Sequence, residues 1–487
     1  MCLVPLLWKA GKFGYAANAL RGVVFAFAYY LGTVSWTLNV SGFEPWHLFL
    51  VVGFLSISYG FFMIGVRAFS EHSAEVQAVL TGMLWITLEY LRNHAGFLAL
   101  PWAGLAHAAA STPTALQFAS IAGEYGLSFM LVAANTFIAS ALAVEAGPTA
   151  SNRRISMLLG GLCLPIFLVS YGAVRLGLYE QGDTVRVLAV HADRSSSLVE
   201  SHTNGISFAG LTELTADALA GEPPEIVVWP EGSFKLINAY PYIYGSIHEF
   251  SEEIDAAVAF GISSGSKYIR KSQAGTAGTM INQLALIDWR SDRVQAFSKQ
   301  ILVPFGEYIP LDDVIPWPEW FIPDMAQFHA DDHMSIPKTR RNIQLVPAIC
   351  WENLFAGAIR SRVPRGRAIG LNISDLSVFR SAQAVQQHNA ATLMRAVENG
   401  ISFVAATNTG PSLLVDPLGR IISSSSPDRP GYVAGSLPTP VNRTPYWYMG
   451  DLFVLLAALG LTTWPLWLRR EQQGPQPGNK RNTPADG

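Results

Sequence analysis

Long apolar runs dominate the first third of this sequence and recur near its end. Six of them approach the roughly 20 residues that a helix needs to cross about 30 Å of hydrocarbon. They lie at 22–40, 46–66, 76–91, 116–144, 155–176 and 446–468. Charged residues make up only 14% of the 487 residues, against roughly a quarter in soluble proteins. The pattern predicts a polytopic α-helical membrane bundle, with about five spans over 1–176 and one more at 446–468.

Positive charges in the short loops predict the orientation of these spans, because Lys and Arg accumulate on the cytoplasmic side of a membrane. They concentrate in alternate loops and beyond the last span, at Lys9, Lys12, Arg21, Arg67, Arg153, Arg154, Arg469 and Arg470, whereas the intervening loops 41–45 and 92–115 carry only Arg92. Both termini are therefore expected in the cytoplasm and the large segment 177–445 outside it. The last residues, 469–487, are rich in Pro, Gly, Gln and Asn, which predicts a disordered cytoplasmic tail.

Segment 177–445 differs from the membrane region, since short β-rich runs alternate there with helical stretches. Strands are predicted at Val185–Val190, Ile226–Trp229, Ile281–Ile287, Gln344–Ile349, Ala368–Ile373 and Ser402–Ala406, and a helix at 381–399. Strands that alternate with helices indicate a layered α/β fold. We therefore expect one extracytoplasmic α/β domain between the fifth and sixth spans.

Charge and metal-ligand spacing argue against two classes of function. The net charge is -3 and the basic residues are scattered, so no basic stripe is present that would follow a nucleic-acid backbone. The three cysteines form no CxxC pair and no zinc-binding spacing with histidine, which predicts neither a disulfide framework nor a metal site. Three histidines without mutual ligand spacing are interpreted as loop or surface residues: His94, His107 and His388.

Three polar residues of segment 177–445 occupy positions suited to covalent catalysis. Glu231 follows the second predicted strand behind a proline that cannot continue the ladder, Lys299 borders an apolar stretch, and Cys350 ends the fourth predicted strand. A nucleophile at a strand-to-helix turn is expected to be exposed, with backbone N–H groups nearby to receive an oxyanion. Each residue alone also has an ordinary interpretation, as a solvated glutamate, a sheet-edge lysine or a core thiol. An extracytoplasmic cysteine without a partner thiol tends to be reactive, which favours Cys350 as a nucleophile.

These residues and their flanking sequences resemble the nitrilase superfamily. The membrane spans narrow the resemblance to the bacterial apolipoprotein N-acyltransferases, of which this chain looks like a divergent member. The matching motifs are EYLRNHAGFLALPW (89–102), GEYGLSFML (123–131), WPE (229–231), KQILVPFGEYIP (299–310), AICWE (348–352), QH (387–388), MRAVENG (394–400), TNTG (407–410) and DPLGR (416–420). Each motif is short, but their joint order is highly specific.

The resemblance implies an α-β-β-α sandwich for 177–445 and an N-acyltransferase that uses a Glu-Lys-Cys triad. Glu231 would be the base, Cys350 the nucleophile and Lys299 an oxyanion donor, with supporting or substrate-binding places for Glu307, Trp351, Glu352 and Asn282. It further implies a phospholipid acyl donor, a diacylglyceryl-cysteine apolipoprotein as acceptor, and no cofactor. The expected location is the bacterial inner membrane, with the catalytic domain on the periplasmic side.

Two alternative functions stay open, and so do the roles of two intramembrane carboxylates. The stretch NISDLSVF at 372–379 departs from the family pattern, which favours a membrane-bound amidase or a paralogous acyltransferase, for example a plasmid-borne one, with another substrate. A non-catalytic membrane scaffold is the second alternative, and the intact triad argues against it. Glu89 and Glu124 are costly in lipid, so each is expected either to pair structurally or to handle lipid directly. The run that contains Glu89 is also short enough for a buried helix.

Overall fold

The computed structural model describes residues 2–192, 207–219, 221–234, 242–264, 280–291, 293–318, 321, 328–330, 335–427 and 429–472, the side chains of 465–472 excepted. Its amino-terminal part is a helical bundle. The helices there are α1 (Val4–Leu7), α2 (Tyr15–Val34), α3 (Pro45–Phe69), α4 (Ala74–Asn93), α5 (Pro113–Leu116), α6 (Ala119–Ala143) and α7 (Ala150–Gly177). The carboxyl-terminal helices α12 (Pro445–Met449) and α13 (Leu452–Gln472) return to this bundle, where α13 packs against α4 and α6.

Three helices of the described residues are long and apolar enough to cross a membrane: α3, α6 and α7. Helix α13 contains a shorter apolar stretch, Leu452–Trp464. The prediction of an apolar helical bundle therefore holds in this coarser form, and the number of six spans stays a prediction. The first predicted span, 22–40, is wrong in its bounds, because α2 begins at Tyr15 and the chain continues after Val34 as a 3-10 helix, Ser35–Asn39.

Small residues set the close contacts within the bundle. A Cβ atom at Gly22 of α2 would lie 2.1 Å from the Tyr59 carbonyl oxygen of α3, so these two backbones touch where only glycine fits. Helix α6 is broken near its start, where Gly123 has a φ of +65°. The Tyr446 ring lies against that glycine, and a Cβ atom there would approach Cε2 of the ring to 2.5 Å.

Eleven strands in the described residues form two sheets. The strands are β1 (Thr184–His191), β2 (Ile226–Val228), β3 (Ala257–Ser264), β4 (Ile281–Ile287), β5 (Gln295–Ser298), β6 (Gln344–Ile349), β7 (Ala368–Ser374), β8 (Ser402–Thr407), β9 (Leu413–Val415), β10 (Ile421–Ser424) and β11 (Gly431–Pro438). The first sheet has the order β11-β1-β2-β3-β4-β5 and the second β10-β9-β8-β7-β6. Strands β1 to β3 are parallel, as are β6 to β8.

The two sheets pack face to face with one helical layer outside each. Inward side chains of both sheets, such as Val187, Leu286, Leu371 and Val404, form one buried apolar cluster. Helices α8 (Phe208–Ala218) and α9 (Ile243–Glu253) cover the first sheet. Helices α10 (Ala356–Arg362) and α11 (Ala382–Asn399) cover the second. The prediction of a layered α/β domain is confirmed, and its layers follow the order α-β-β-α.

All six predicted strands are present, and the predicted helix at 381–399 corresponds to α11. The sequence reading did not find β3, β5, β9, β10 and β11. The predicted tail, 469–487, overlaps the end of α13 through Gln472, and its remaining residues lie outside the described part of the chain.

The second sheet is covered by a helix that is buried on both of its sides. Residues of α11 such as Met394 and Val397 share an apolar cluster with Phe403 of β8 and also with Leu116 and Leu127 of the membrane bundle. Because α11 packs against both, it forms the interface between the α/β domain and the bundle. The strand ends near α11 are thereby brought next to the bundle.

Gly22→Ala tests the close contact between α2 and α3. The added methyl group would collide with the Tyr59 backbone, so we expect a destabilisation of about 1–3 kcal/mol, the usual cost of overpacking. The midpoint of thermal unfolding in detergent should fall. Gly32→Ala is the matched control in the same helix, because no heavy atom lies within 4 Å of the new Cβ there. Equal midpoints for the two variants would contradict this packing.

Candidate active site

The structure brings Glu231, Lys299 and Cys350 to neighbouring strand ends. Glu231 follows β2, Lys299 follows β5 and Cys350 follows β6, so two residues come from the first sheet and one from the second. Glu231 Oε1 lies 3.9 Å from Lys299 Nζ. The charges of both residues act on the Cys350 thiol. Three residues that are far apart in sequence therefore form one buried site between the sheets.

Cys350 lies at a strained turn between β6 and a 3-10 helix, Cys350–Leu354. Its φ is +54°, a left-handed conformation that costs a residue other than glycine roughly 1–3 kcal/mol. The predicted strand-to-helix position is confirmed. The predicted exposure is wrong, because Cys350 is only 8% exposed. It belongs to a buried apolar cluster that also contains Trp102 and Tyr30 of the bundle, so the apolar surroundings of the nucleophile turn extend into the bundle.

The Glu231 carboxylate is fixed by hydrogen bonds to both of its oxygens. Asn282 Nδ2 donates to Oε1 over 2.7 Å, and the Asp375 N–H donates to Oε2 over the same distance. The backbone beneath is crowded, since a Cβ at Gly261 of β3 would lie 2.5 Å from Glu231 Cα. Asn282, predicted to support the site, therefore orients Glu231 directly.

The ammonium of Lys299 is held by two carboxylates and is almost inaccessible, with 1% of its side chain exposed. Glu307 Oε1 accepts from Nζ over 2.6 Å, and Glu307 Oε2 accepts from the Val303 N–H over 2.8 Å. Glu307 thus contacts Lys299 directly, which fits the supporting place that the resemblance implies. The shorter contact orients the ammonium and leaves Glu231 at the longer distance of 3.9 Å.

Glu352 is engaged within the protein at both oxygens. Arg362 donates to both oxygens over 2.7 and 2.8 Å. Backbone N–H groups of Ile349, Gln300 and Ile301 donate to the same carboxylate. Because the side chain is fully buried, Glu352 braces the turn that carries Cys350 and links it to the chain after Lys299. Of its two predicted places, supporting or substrate-binding, this geometry fits support.

Trp351 also lies in this buried turn. It is 8% exposed, and its ring packs against Phe355 with centroids 5.3 Å apart. Its Nε1 has no hydrogen-bond partner among the described residues. Trp351 therefore contributes apolar surface next to the thiol, in the same cluster as the bundle aromatics.

Burial controls the ionisation of the three central groups. It raises the pKa of Cys350 well above its usual value, the charge of Glu231 adds to this shift, and the Lys299 ammonium opposes it. Burial also raises the pKa of Glu231, with Lys299 as the partial offset. Burial alone would lower the pKa of Lys299, but Glu307 and Glu231 outweigh it and hold that pKa above its usual value. The thiol rests protonated beside a carboxylate suited to accept its proton.

The interpretation of three histidines as loop or surface residues is wrong for two of them. His388 is fully buried on α11, and its Nε2 lies 3.1 Å from the Cys350 carbonyl oxygen. His107 lies 3.3 Å from Glu124 Oε2 with only 8% of its side chain exposed. His94 fits the interpretation, because it lies at the end of α4 and stacks on Tyr90. The QH motif at 387–388 is the sequence signal that points to His388.

Several buried polar side chains around α11 were not predicted. Asn353 Nδ2 donates to the His388 carbonyl over 3.1 Å and to Thr392 Oγ1 over 3.0 Å. Asn372 donates to the same hydroxyl over 3.1 Å. These bonds tie the turn after Cys350, the end of β7 and α11 together. These residues lie on three different elements, and a single polar residue in each carries no periodic signal that a sequence pattern could show.

The two intramembrane carboxylates have structural partners. Glu124 Oε2 accepts from Arg395 Nη2 of α11 over 2.6 Å, and the Glu124 N–H donates to Glu398 Oε1 over 2.8 Å. Glu89 accepts from the Leu105 N–H over 3.2 Å and lies 3.8 Å from Arg92. Structural pairing therefore describes both residues, and Glu124 joins the bundle to the α/β domain.

No group of three or more His, Cys, Asp or Glu side chains in the described residues is arranged to hold a metal ion. The chemistry available at the site is that of a thiol, a carboxylate and an ammonium. A thiol next to a base can attack a carbonyl carbon, and the ammonium can stabilise the oxyanion that forms. The arrangement is suited to acyl transfer or to amide hydrolysis.

Comparisons with known proteins agree with this geometry. A family model described as the apolipoprotein N-acyltransferase N-terminal domain matches residues 1–137, and a carbon-nitrogen hydrolase model matches residues 208–441. A protein of Geobacter metallireducens named apolipoprotein N-acyltransferase is 24% identical, over 94% of this chain and 88% of its own. One of Allorhizobium ampelinum with the same name is 27% identical, over 82% of this chain and 76% of its own.

Among solved structures, an amidase of the nitrilase superfamily from Nesterenkonia is similar to this chain. It is 16% identical, and the match covers 54% of this chain and 94% of the amidase with a TM-score of 0.38. The two family models give the stronger evidence, because one matches most of the amino-terminal bundle and the other matches most of the α/β domain.

Glu352→Gln tests whether Glu352 braces the fold. Arg362 would keep its charge in a buried position without a carboxylate, which typically costs about 3 kcal/mol or more. We expect a clear fall in the thermal unfolding midpoint. Glu222→Gln is the control, because its ion pair with Arg186 is exposed, with 79% of the Glu222 side chain accessible, and such pairs contribute about 0–1 kcal/mol. An unchanged midpoint with lost activity would instead indicate that Glu352 acts on substrate.

Proposed function

We infer that this chain belongs to the apolipoprotein N-acyltransferase family, the membrane-bound branch of the carbon-nitrogen hydrolase superfamily, because the two family models match residues 1–137 and 208–441. On that premise we propose that it moves a fatty acyl chain from a phospholipid, through a thioester on Cys350, to the amino-terminal amine of a diacylglyceryl-cysteine apolipoprotein. The observation that carries the proposal is the site of Cys350 itself. The charges of Glu231 and Lys299 act on the thiol, and Cys350 belongs to a buried apolar cluster that includes residues of the helical bundle.

In the first half-reaction Glu231 accepts the proton of the Cys350 thiol. The thiolate attacks the ester carbonyl carbon of the donor, and the oxyanion is stabilised by Lys299 and by a backbone N–H near Trp351, each donor contributing about 10²–10³ in rate. Collapse breaks the ester bond, and the departing lysophospholipid oxygen takes the proton from Glu231. Glu307, which holds Lys299 over 2.6 Å, keeps the ammonium oriented during this step.

In the second half-reaction the acceptor amine attacks the thioester carbonyl carbon. Glu231 takes a proton from the amine nitrogen, the carbon–sulfur bond breaks, and the proton returns to the Cys350 thiolate. An amide forms and the free thiol is restored. The two half-reactions share one covalent intermediate, so the kinetics are ping-pong.

Exclusion of water separates acyl transfer from hydrolysis. A thioester that water reaches is hydrolysed, so a transferase must protect it until an amine arrives. Cys350 is buried among aromatic side chains of the bundle and of its own turn. This burial supports transfer, and it also suits an acyl chain, which gains about 0.8 kcal/mol for each methylene kept out of water.

The chain is a membrane protein, and we propose the bacterial inner membrane as its location. In this arrangement the chain spans it six times, both termini are cytoplasmic, and segment 177–445 lies on the periplasmic side. The positive charges of the short loops support this orientation. This orientation also gives the acceptor access to the site, since the amino terminus of a lipid-anchored protein lies at the membrane surface.

Accumulation of an acylated enzyme tests the catalytic proposal. Full-length protein mixed with phospholipid and no acceptor should gain the mass of one acyl chain on Cys350, because no amine is present to complete turnover. Intact-protein mass spectrometry measures the adduct, and hydroxylamine should release it. Cys350→Ala should show no adduct while remaining folded, since the substitution removes only the sulfur atom.

Two controls sharpen this experiment. Glu231→Gln should form the adduct about 10²–10⁴ times more slowly, the usual contribution of a general base, and its Cys350 should react more slowly with a maleimide. Unchanged maleimide labelling would mean that Glu231 is not the activating base. A wild type without any adduct that hydrolyses a soluble amide would replace acyl transfer by the amidase alternative.

The acceptor is tested in cells. Expression in a strain depleted of its own apolipoprotein N-acyltransferase should restore growth and add one acyl chain to the amino-terminal cysteine of lipoproteins, measured by the mass of that terminus. The departure at 372–379 from the family pattern favours a second candidate, a paralogous acyltransferase with another acceptor. Adduct formation on Cys350 without restored lipoprotein acylation would support that candidate.

Reporter fusions test the proposed orientation. An alkaline phosphatase fused after Arg154 should be inactive and one fused within 177–445 active, because this enzyme matures only outside the cytoplasm. A fluorescent reporter that folds only in the cytoplasm should give the opposite result at both points. Equal signals at the two fusion points would contradict the orientation.

A further inference from the structure

A hydrogen bond from α11 reaches the backbone of the Cys350 turn. His388 Nε2 lies 3.1 Å from the Cys350 carbonyl oxygen. A carbonyl oxygen only accepts, so the bond requires Nε2 to carry the proton. In return, Asn353 of the same turn donates to the His388 carbonyl over 3.1 Å. One hydrogen bond thus holds the left-handed Cys350 residue to α11 and a second holds Asn353 of the same turn, and both involve His388.

The imidazole of His388 is neutral under ordinary conditions. Burial lowers the pKa of His388 to about 4, and the nearby Lys299 ammonium acts in the same direction. Its Nδ1 has no hydrogen-bond partner among the described residues. A side chain that neither titrates near neutral pH nor uses its second nitrogen is poorly suited to acid–base catalysis. Its contact with Cys350 is a fixed hydrogen bond.

The preceding residue connects the same helix to the membrane bundle. Gln387 Oε1 accepts from Trp36 Nε1 over 3.1 Å and from Trp102 Nε1. Gln387 Nε2 donates to the carbonyl oxygen of Thr33, near the end of α2, over 3.0 Å. The rings of Trp36 and Trp102 lie 4.8 Å apart. Adjacent residues of one buried helix therefore touch the bundle on one side and the nucleophile turn on the other.

We propose that His388 is a positioning residue, which holds the Cys350 peptide in its reactive conformation, and that Gln387 makes this hold depend on correct seating of the membrane helices. The inference rests on the proposed acyl transfer and adds to it a residue that never touches the acyl group. A thiol on a strained turn relaxes away from Glu231 and Lys299 once the peptide that carries it is released. The rate of the covalent step is therefore the quantity that His388 controls.

Acylation of Cys350 by phospholipid, followed by intact-protein mass in the full-length protein, tests this inference. His388→Leu has similar volume but no donor, and it should form the adduct about tenfold more slowly or worse. His388→Gln places an amide N–H at the reach of Nε2 and should recover to within about threefold of the wild type. His388→Asn is shorter, cannot reach the carbonyl, and should stay slow. If the leucine variant does not fold, the comparison of acylation rates between the glutamine and asparagine variants tests the inference.

A matched pair on the other face of α11 tests the link to the bundle. Gln387→Leu should slow acylation by at least about threefold, because it loses three hydrogen bonds to the bundle. Gln386→Leu is the control, since Gln386 is exposed on the same helix, and should leave the rate unchanged. Equal rates for these two variants would overturn the role of Gln387.

The pH profile separates positioning from proton transfer. Wild type and His388→Gln should have profiles of the same shape over roughly pH 5–8, because a neutral imidazole contributes no ionisation there. A change in acylation rate near pH 6.5 that disappears in His388→Gln would make His388 an acid–base group and would overturn the proposal. Acylation at the wild-type rate in both His388→Leu and His388→Asn would overturn it as well. Absence of any adduct in the wild type would refute the proposed acyl transfer itself. That outcome differs from the failure of the His388 role, in which the wild type forms the adduct and the variants form it equally fast.

Discussion

The buried ammonium of Lys299 is the constraint on which the site depends. A charge with 1% of its side chain exposed would cost several kcal/mol if it were unpaired, so the surroundings must supply opposite charge. Glu307 does so at 2.6 Å and Glu231 at 3.9 Å. Because Glu307 takes the closer place, Glu231 remains available to a neighbouring proton donor. The same positive charge offsets part of the rise that burial causes in the pKa of the Cys350 thiol. It also stabilises the negative charge that develops in the transition state of a site that excludes water.

Helix α11 makes the two halves of the molecule interdependent. Its apolar residues fill the outer face of the second sheet and the inner face of the bundle. Its polar residues form the specific contacts, with His388 at the nucleophile turn and Arg395 on Glu124 of α6. The pair between Arg395 and Glu124 is almost fully buried, and loss of either partner would leave an uncompensated charge. A fold of this kind positions its nucleophile only when the membrane helices are in place.

Strand positions and the order of the site residues were predictable because they depend on local pattern. Short β-rich runs identified β1, β2, β4, β6, β7 and β8. Glu231 and Cys350 were marked by their places at predicted strand ends, and Lys299 by the apolar stretch that it borders. Among the strands that were not predicted, β5 and β10 have four residues each, which give too little periodicity. Strand β3 has eight residues and all but the last are buried, and such a continuous run shows no alternation that separates a strand from a buried helix. The first span was misplaced because apolar composition continues beyond Val34, whereas the helix does not.

The sequence by itself determined the apolar helices, six strands of the α/β domain, the chemical groups of the site and their order along the chain. These follow from periodicity and residue type, which act over a few neighbours. Only the tertiary structure decided that Cys350 is buried with a left-handed backbone, that Glu352 is committed to Arg362, and that His388 lies beneath the nucleophile turn. Burial and pairing depend on which distant element packs against a residue, and that information is absent from any local stretch of the chain.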